Sequence, residues 1–277
     1  MTLQKPRLPQ KEMLDRLRAL CQKDERLDSG FLYGSFTRGE GDPFSDIEAV
    51  LYFDDELLPE VDRLAWGEEI APVAHTFVND HGIQTYIFEG LVRGEIHFDP
   101  VPMIASLPQR VGSVRFPTLE SALICDKHGR LTPVLSQLVG PPPNQDSAEM
   151  VEYLLNATLD WGLFGVTVWA RGEYGRSMEI LHILHRQLLH LARISEGCTD
   201  NWLTPSKSLE QDLSPTAYRR FVGCTANLNA SALWAAYDSA LIWAAEMLAP
   251  LCRRHSVAYP DELLKRTRGM LSEHALS

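Results

Sequence analysis

The chain has 277 residues, 45% of them hydrophobic and 23% charged, which is enough for one or two ordinary cores and makes two domains a natural expectation. Its net charge of −11 and the lack of any Lys/Arg-rich run argue against a nucleic-acid partner, because neutralising many phosphates requires a basic face. No run approaches the roughly 18 consecutive apolar residues of a membrane helix. The N-terminal MTLQKPRLPQKEM also carries no apolar leader, so a cytoplasmic location is expected. Five scattered cysteines (Cys21, Cys125, Cys198, Cys224 and Cys252) form no CxxC pair and read as incidental thiols.

Residues 9–22 place Met13, Leu14, Leu17, Leu20 and Cys21 at helical spacing behind Pro9. Gly30 to Tyr33 reads as a short buried strand that runs into Gly34-Ser35. A polar loop follows, and Asp46 to Phe53 forms a second strand. A helix is expected over 62–71, strands over 84–88 and 91–98, and a last short strand at 122–125 before the turn 126–129. Gly140-Pro141-Pro142-Pro143 then stops regular structure and stiffens the chain as a linker. Beyond it the pattern is helical: 147–171 behind a Ser147/Asp146 cap, 177–194, 215–224 behind Ser214-Pro215, 231–252 and 260–272. The fold class that follows is α/β (α+β), with a mixed-sheet domain over 1–139 and a C-terminal α-helical bundle over 144–277.

The informative stretch is YGSFTRGEGDPFSDIE at 33–48, a Gly-Ser turn followed ten residues later by Asp-x-Glu, with an apolar strand on either side. Gly34 lets backbone approach a phosphate closely, and Ser35 supplies a hydroxyl and an N–H near a helix start, a natural anion site. Asp46 and Glu48 lie two apart on a strand, so their side chains share a face. Two adjacent hard carboxylates suit Mg²⁺ and leave room for phosphate oxygens. Taken singly, Gly34-Ser35 could be an ordinary turn, and Asp46-x-Glu48 the wet face of an edge strand. Together they point to a magnesium–nucleotide site. An acidic protein can hold ATP if metal ions and a few local cations offset the triphosphate, and its charge suits a small cationic acceptor. Gly39, Gly41 and Asp42-Pro43 serve loop geometry.

A third carboxylate is expected on a neighbouring strand. In Arg93-Gly94-Glu95-Ile96-His97-Phe98-Asp99, the residues Glu95, His97 and Asp99 alternate onto one face. A mid-strand carboxylate is costly unless it meets a metal or a cation, so Glu95 is the first candidate for a general base. His97 is the second, or else a satisfied, partly buried histidine.

These residues resemble the polymerase-beta type of nucleotidyltransferase, and in particular the larger, B-type lincosamide nucleotidyltransferases. The resemblance rests on 33–48, on IFEGLVRGEIHF at 87–98, on RGEYGRSMEIL at 171–181 and on DNWLTPSKSLE at 200–210, and so spans both proposed domains. It implies metal ligation by Asp46 and Glu48, the second of these a glutamate where the wider superfamily more often has aspartate. It also implies Glu95 as general base. LARI at 191–194 and the SK pair at 206–207 resemble aminoglycoside adenylyltransferases, which implies triphosphate contacts from Arg193 and Lys207. Surface charge is the structural alternative for both. Arg171 and Arg176 are further cations, with pairing to Glu173 or Glu179 as their alternative. Trp202 is a candidate for the acceptor pocket.

The expected reaction is Mg²⁺-dependent transfer of a nucleoside monophosphate, AMP from ATP or the equivalent from another NTP, to a hydroxyl of a lincosamide antibiotic of the lincomycin/clindamycin type. Two magnesium ions are expected, and a homodimer is implied by the resemblance alone. An aminoglycoside, a protein side chain, or a non-catalytic nucleotide-binding role are the alternatives.

Overall fold

The computed structural model describes residues 8–111 and 114–274; the extreme N-terminus, read above for a leader, lies partly outside them. The chain divides into two compact units, Met1–Pro142 and Pro143–Ser277, with the division inside the Gly-Pro-Pro-Pro segment.

In the first unit, α1 (Pro9–Lys23) is followed by β1 (Leu27–Leu32), a 3-10 turn over Ser35–Arg38, β2 (Ile47–Phe53) and α2 (Arg63–Glu68). Then come β3 (Val73–Val78), β4 (Gln84–Phe88), β5 (Arg93–Pro100), the short helices α3 (Leu107–Val111) and α4 (Leu119–Ala122), β6 (Leu123–Asp126) and α5 (Thr132–Leu135). The strands form one mixed sheet in the order β3-β4-β5-β2-β1-β6, in which β2 and β5 run parallel and the other neighbours antiparallel. Alternation along β2 explains how the sheet is covered. Ile47, Ala49, Leu51 and Phe53 face α1 and Trp66, while Val50 and Tyr52 pack with Phe31, Ile104 and Phe116 on the other side. Glu48 shares the face of Val50 and Tyr52, at the end of the strand where that apolar cover has not yet begun.

The mixed sheet and the helical C-terminal region agree with the expected fold class. One strand, β3, is absent from the sequence reading. It is an edge strand with no fully buried residue, so it shows no apolar alternation and forms because β4 is available to pair with it. β5 starts two residues later than expected because Leu91 adopts φ 57° and closes the turn with an N–H bond to Phe88 O at 2.8 Å.

The second unit comprises α6 (Ala148–Ala170), α7 (Tyr174–Glu196), α8 (Leu209–Asp212), α9 (Pro215–Gly223), α10 (Ala230–His255) and α11 (Asp261–His274). Ser147, Ser214 and Asn229 cap the N-termini of α6, α9 and α10 by accepting backbone N–H bonds. Trp169 and Trp243 enter the bundle core, and Trp234 packs against it. Among the described residues, no helix is long and apolar enough to cross a membrane.

α6, α7 and α10 converge where Tyr237 donates its hydroxyl to Ser177 O at 2.7 Å and Ser177 Oγ donates to Gly165 O at 3.3 Å. A Cβ on Gly165 would stand 2.1 Å from the Tyr237 hydroxyl oxygen. Overpacking at such a contact typically costs about 1–3 kcal/mol. Gly165→Ala should therefore lower the melting temperature clearly. Tyr237→Phe should cost about 1 kcal/mol through the lost hydrogen bond. Thermal or urea melts followed by circular dichroism check both.

Candidate functional site

The antiparallel pairing of β1 with β2 puts Leu32 opposite Ala49, so the chain leaving β1 passes directly over the start of β2. Tyr33 N–H donates to Glu48 O at 3.1 Å, and Gly34 comes next, at φ 76°. A Cβ at Gly34 would lie 1.6 Å from Glu48 Oε2. Glycine is thus required twice here, by the backbone conformation and by the carboxylate beneath it. Thr37 Oγ1 donates to Gly34 O at 2.7 Å and fixes the 3-10 turn that Ser35 opens. The loop beyond is self-supporting. Asp42 Oδ1 accepts from Phe44 N–H and from Ser45 Oγ, and Gln10 on α1 donates to Pro43 O at 2.9 Å.

The parallel register of β2 with β5 sets Glu48 against Glu95. Asp46, just before β2, joins them on the same face. The three carboxylates predicted from sequence are therefore gathered at one end of two adjacent strands. Arg38 and Arg93 both bring positive charge to Glu48, and Arg93 binds its two acidic neighbours directly. One guanidinium nitrogen binds Asp46 Oδ2 at 2.7 Å and another binds Glu95 Oε1. Arg93 and Glu95 are two apart on β5 and so share a face; that spacing was visible in the sequence, but the partner just before β2 was not. Asn79, after β3, donates its amide to the same Glu95 oxygen at 2.8 Å. No local signal marked Asn79, because the strand it follows was itself not predicted.

Electrostatics follow from this crowding. Burial, then the charges of Asp46 and Glu95, raise the Glu48 carboxyl to about 7. Burial and the same acidic neighbours also push the Tyr33 phenol upward. The Tyr33 ring meets the His97 ring edge-on at 5.9 Å. Among the described residues, no group of three or more His, Cys, Asp or Glu side chains is assembled to hold a metal ion. Asp46 and Glu48 are a two-carboxylate set of hard oxygen donors that fits magnesium in type, and the raised Glu48 carboxyl marks a place short of positive charge.

In the helical unit, the Arg193 side chain is 0% exposed. Its guanidinium donates to the carbonyls of Cys198, Pro205 and Lys207 and to Asp212 Oδ2, and so binds the 198–212 segment to α7. The resemblance implies a triphosphate contact for Arg193, with surface charge as the alternative; here its guanidinium is fully enclosed and its donors are taken up by the chain itself. Lys207 is half-buried beside it, its carbonyl one of the four acceptors. Arg176 pairs with Glu173 at 3.3 Å and lies over the Phe164 ring, the structural alternative for that residue. Arg171 is exposed. Trp202 stacks on His190 with ring centroids 4.2 Å apart, and its carbonyl meets His190 Nε2 at 3.0 Å.

Residues 147–270 match the family model of the lincosamide nucleotidyltransferase-like C-terminal domain, the resemblance that the blocks at 171–181 and 200–210 led us to expect. Sequence comparison with curated proteins found no match. Two crystal structures are distantly similar along most of the chain. An aminoglycoside 6-adenyltransferase from Bacillus subtilis is 14% identical, with 98% of this chain and 100% of that chain covered and a TM-score of 0.45. A nucleotidyltransferase-like protein from Exiguobacterium sibiricum 255-15 is 14% identical, with coverages of 95% and 89% and a TM-score of 0.38.

A carboxyl raised by folding binds its proton more tightly in the native state, so the stability it contributes is present below its ordinary value of 4.5 and is lost as pH rises through about 7. In protein freed of divalent ions, Glu48→Gln should be more stable than the wild type at pH 8 by about 1–3 kcal/mol, with the gap shrinking toward pH 5. Melts of both proteins across that range measure it; a gap that does not vary with pH would contradict the crowded-carboxylate account. Arg193→Met should destabilise the protein by about 3–5 kcal/mol and lower its melting temperature sharply, since it leaves three carbonyls without their donor and Asp212 with Asn201 in place of two partners.

Proposed function

We propose that the protein is a nucleotidyltransferase that moves a nucleoside monophosphate, AMP from ATP, onto a hydroxyl of a lincosamide antibiotic. The observation that carries this reading is the gathering of Asp46, Glu48 and Glu95 on one face of two parallel strands, beside the Gly34-Ser35 turn. The match of residues 147–270 to the lincosamide nucleotidyltransferase-like model supports the acceptor class.

In this reaction Asp46 and Glu48 hold Mg²⁺. The metal, when bound, offsets triphosphate charge and polarises the phosphorus under attack. Gly34 allows the backbone close to the phosphates, and Ser35 contributes its N–H and hydroxyl at the start of the 3-10 turn. Glu95 accepts the proton of the acceptor hydroxyl as its oxygen bonds to the α-phosphorus. The bond from the α-phosphorus to the bridging oxygen breaks, and pyrophosphate leaves with that oxygen. Lys207 is retained as a candidate cation toward the triphosphate. The role of Arg193 is to hold the segment that carries Lys207.

The test is mass spectrometry of lincomycin, clindamycin and streptomycin after incubation with the protein, Mg²⁺ and each nucleoside triphosphate in turn. Lincomycin and clindamycin should gain one nucleoside monophosphate, with ATP the best donor. Modification of streptomycin alone would move the acceptor to the aminoglycosides, and no adduct on any compound would leave a nucleotide-binding role. Glu95→Gln should slow turnover about 10²–10⁴-fold, the usual worth of a general base. Asp46→Asn should abolish the Mg²⁺ dependence along with most of the rate. Normal turnover in either variant would overturn that residue's assignment.

A further inference from the structure

We propose that Asn79 is the positioning residue for Glu95, aiming its carboxylate through a single amide hydrogen bond delivered from the β3–β4 turn. The inference rests on the reading of Glu95 as the base and adds the residue that orients it.

The two ends of the Asn79 side chain do separate jobs. Oδ1 accepts the N–H of His81 and the N–H of Ile83, each at 3.0 Å, and so closes the hairpin turn that Gly82 completes at φ 77°. With the oxygen held by two donors, the amide nitrogen is turned the other way and donates to Glu95 Oε1 at 2.8 Å. The turn itself has no use for that nitrogen. An aspartate, the other short residue common in turns of this kind, would close it equally well with a carboxylate oxygen. The amide is therefore needed only for Glu95, two strands away in the sheet.

On Glu95, the bonds from Asn79 and Arg93 both fall on Oε1. Oε2 receives neither and remains the oxygen that takes a proton. A carboxylate gripped at one oxygen from two sides is restricted in rotation and offers its second oxygen in one direction, which is what a general base in a two-reactant step needs. Arg93 alone would not give this, because it also answers to Asp46 and would move with it. Asn79 comes from a different element and supplies an anchor independent of β2. The side chain of Glu95 is only 16% exposed, so the donor acts where water does not replace it readily.

Asn79→Ser separates the two jobs without adding charge, since a hydroxyl oxygen can still accept from the turn while the side chain is too short to reach Glu95. With lincomycin, ATP and Mg²⁺, the variant should keep the wild-type melting temperature and nucleotide KM while kcat falls about 10–100-fold, as for other outer residues that orient a working group. Placed in the Glu95→Gln background, the same substitution should cost less than about two-fold, because the group it orients is no longer a base. Asp80→Ala, exposed in the same turn, should match wild type in both backgrounds. A wild-type kcat in Asn79→Ser overturns the inference, and so does an equal loss in the two backgrounds, which would mark a structural effect. Either result leaves Glu95 as the base; full turnover by Glu95→Gln alone would instead sink the base assignment and this inference with it.

Discussion

Three carboxylates on one face of a sheet repel one another, and much else in the first unit answers that repulsion. Asp46, Glu48 and Glu95 are brought together by the parallel pairing of β2 with β5, a pairing held by the apolar residues that alternate with them. Ile47, Ala49, Leu51 and Phe53 bury one face of β2, and Ile96 and Phe98 do the same for β5, so the acidic residues have no choice of side. Hydrophobic burial of order 1.5–3 kcal/mol per large side chain outweighs the cost of crowding like charges at a partly wet strand end. What remains is an excess of negative charge, expressed as a Glu48 carboxyl raised to about 7. Arg93 offsets part of it from within the chain, and a bound cation would offset more.

The Gly34 turn depends on the same arrangement. Its φ of 76° and its place above Glu48 make a side chain there impossible, which couples the turn to the carboxylate by direct contact. Asn79 and Arg93 reach Glu95 from two elements and meet at one oxygen. The acidic cluster is thus met from three directions, by Arg93 on β5 and by turns that leave β1 and β3. A cluster held this way has little freedom to reorganise.

The helical unit uses charge differently. Arg193 lies inside, and its fork of donors holds a segment rich in turns, from Cys198 to Asp212, against α7. That segment contains both Lys207 and Trp202. A buried arginine of this kind gives an irregular stretch a defined shape where no regular hydrogen-bond ladder would, and its geometry suits carbonyl oxygens better than a lysine's would. The local pattern LARI cannot distinguish this role from a surface one, since both place the arginine on a helix.

Much of the candidate site was legible in the chain itself. The Gly-Ser turn, the two-residue spacing of Asp46 and Glu48 and the alternation of Glu95 with Ile96 and Phe98 are local facts, set by backbone sterics and by the period of a strand. The helix caps at Ser147 and Ser214 are local in the same sense, and so is the Gly-Pro-Pro-Pro break. Tertiary structure alone decided that β2 and β5 lie side by side in the register that opposes Glu48 to Glu95, that an exposed edge strand forms at 73–78, that Asn79 and Arg93 converge on one oxygen, and that Arg193 turns inward. The reason is common to all four. Which strand pairs with which, and which charge finds which partner, depends on groups tens of residues apart, and the energy that selects them appears only when the whole sheet and bundle close around them.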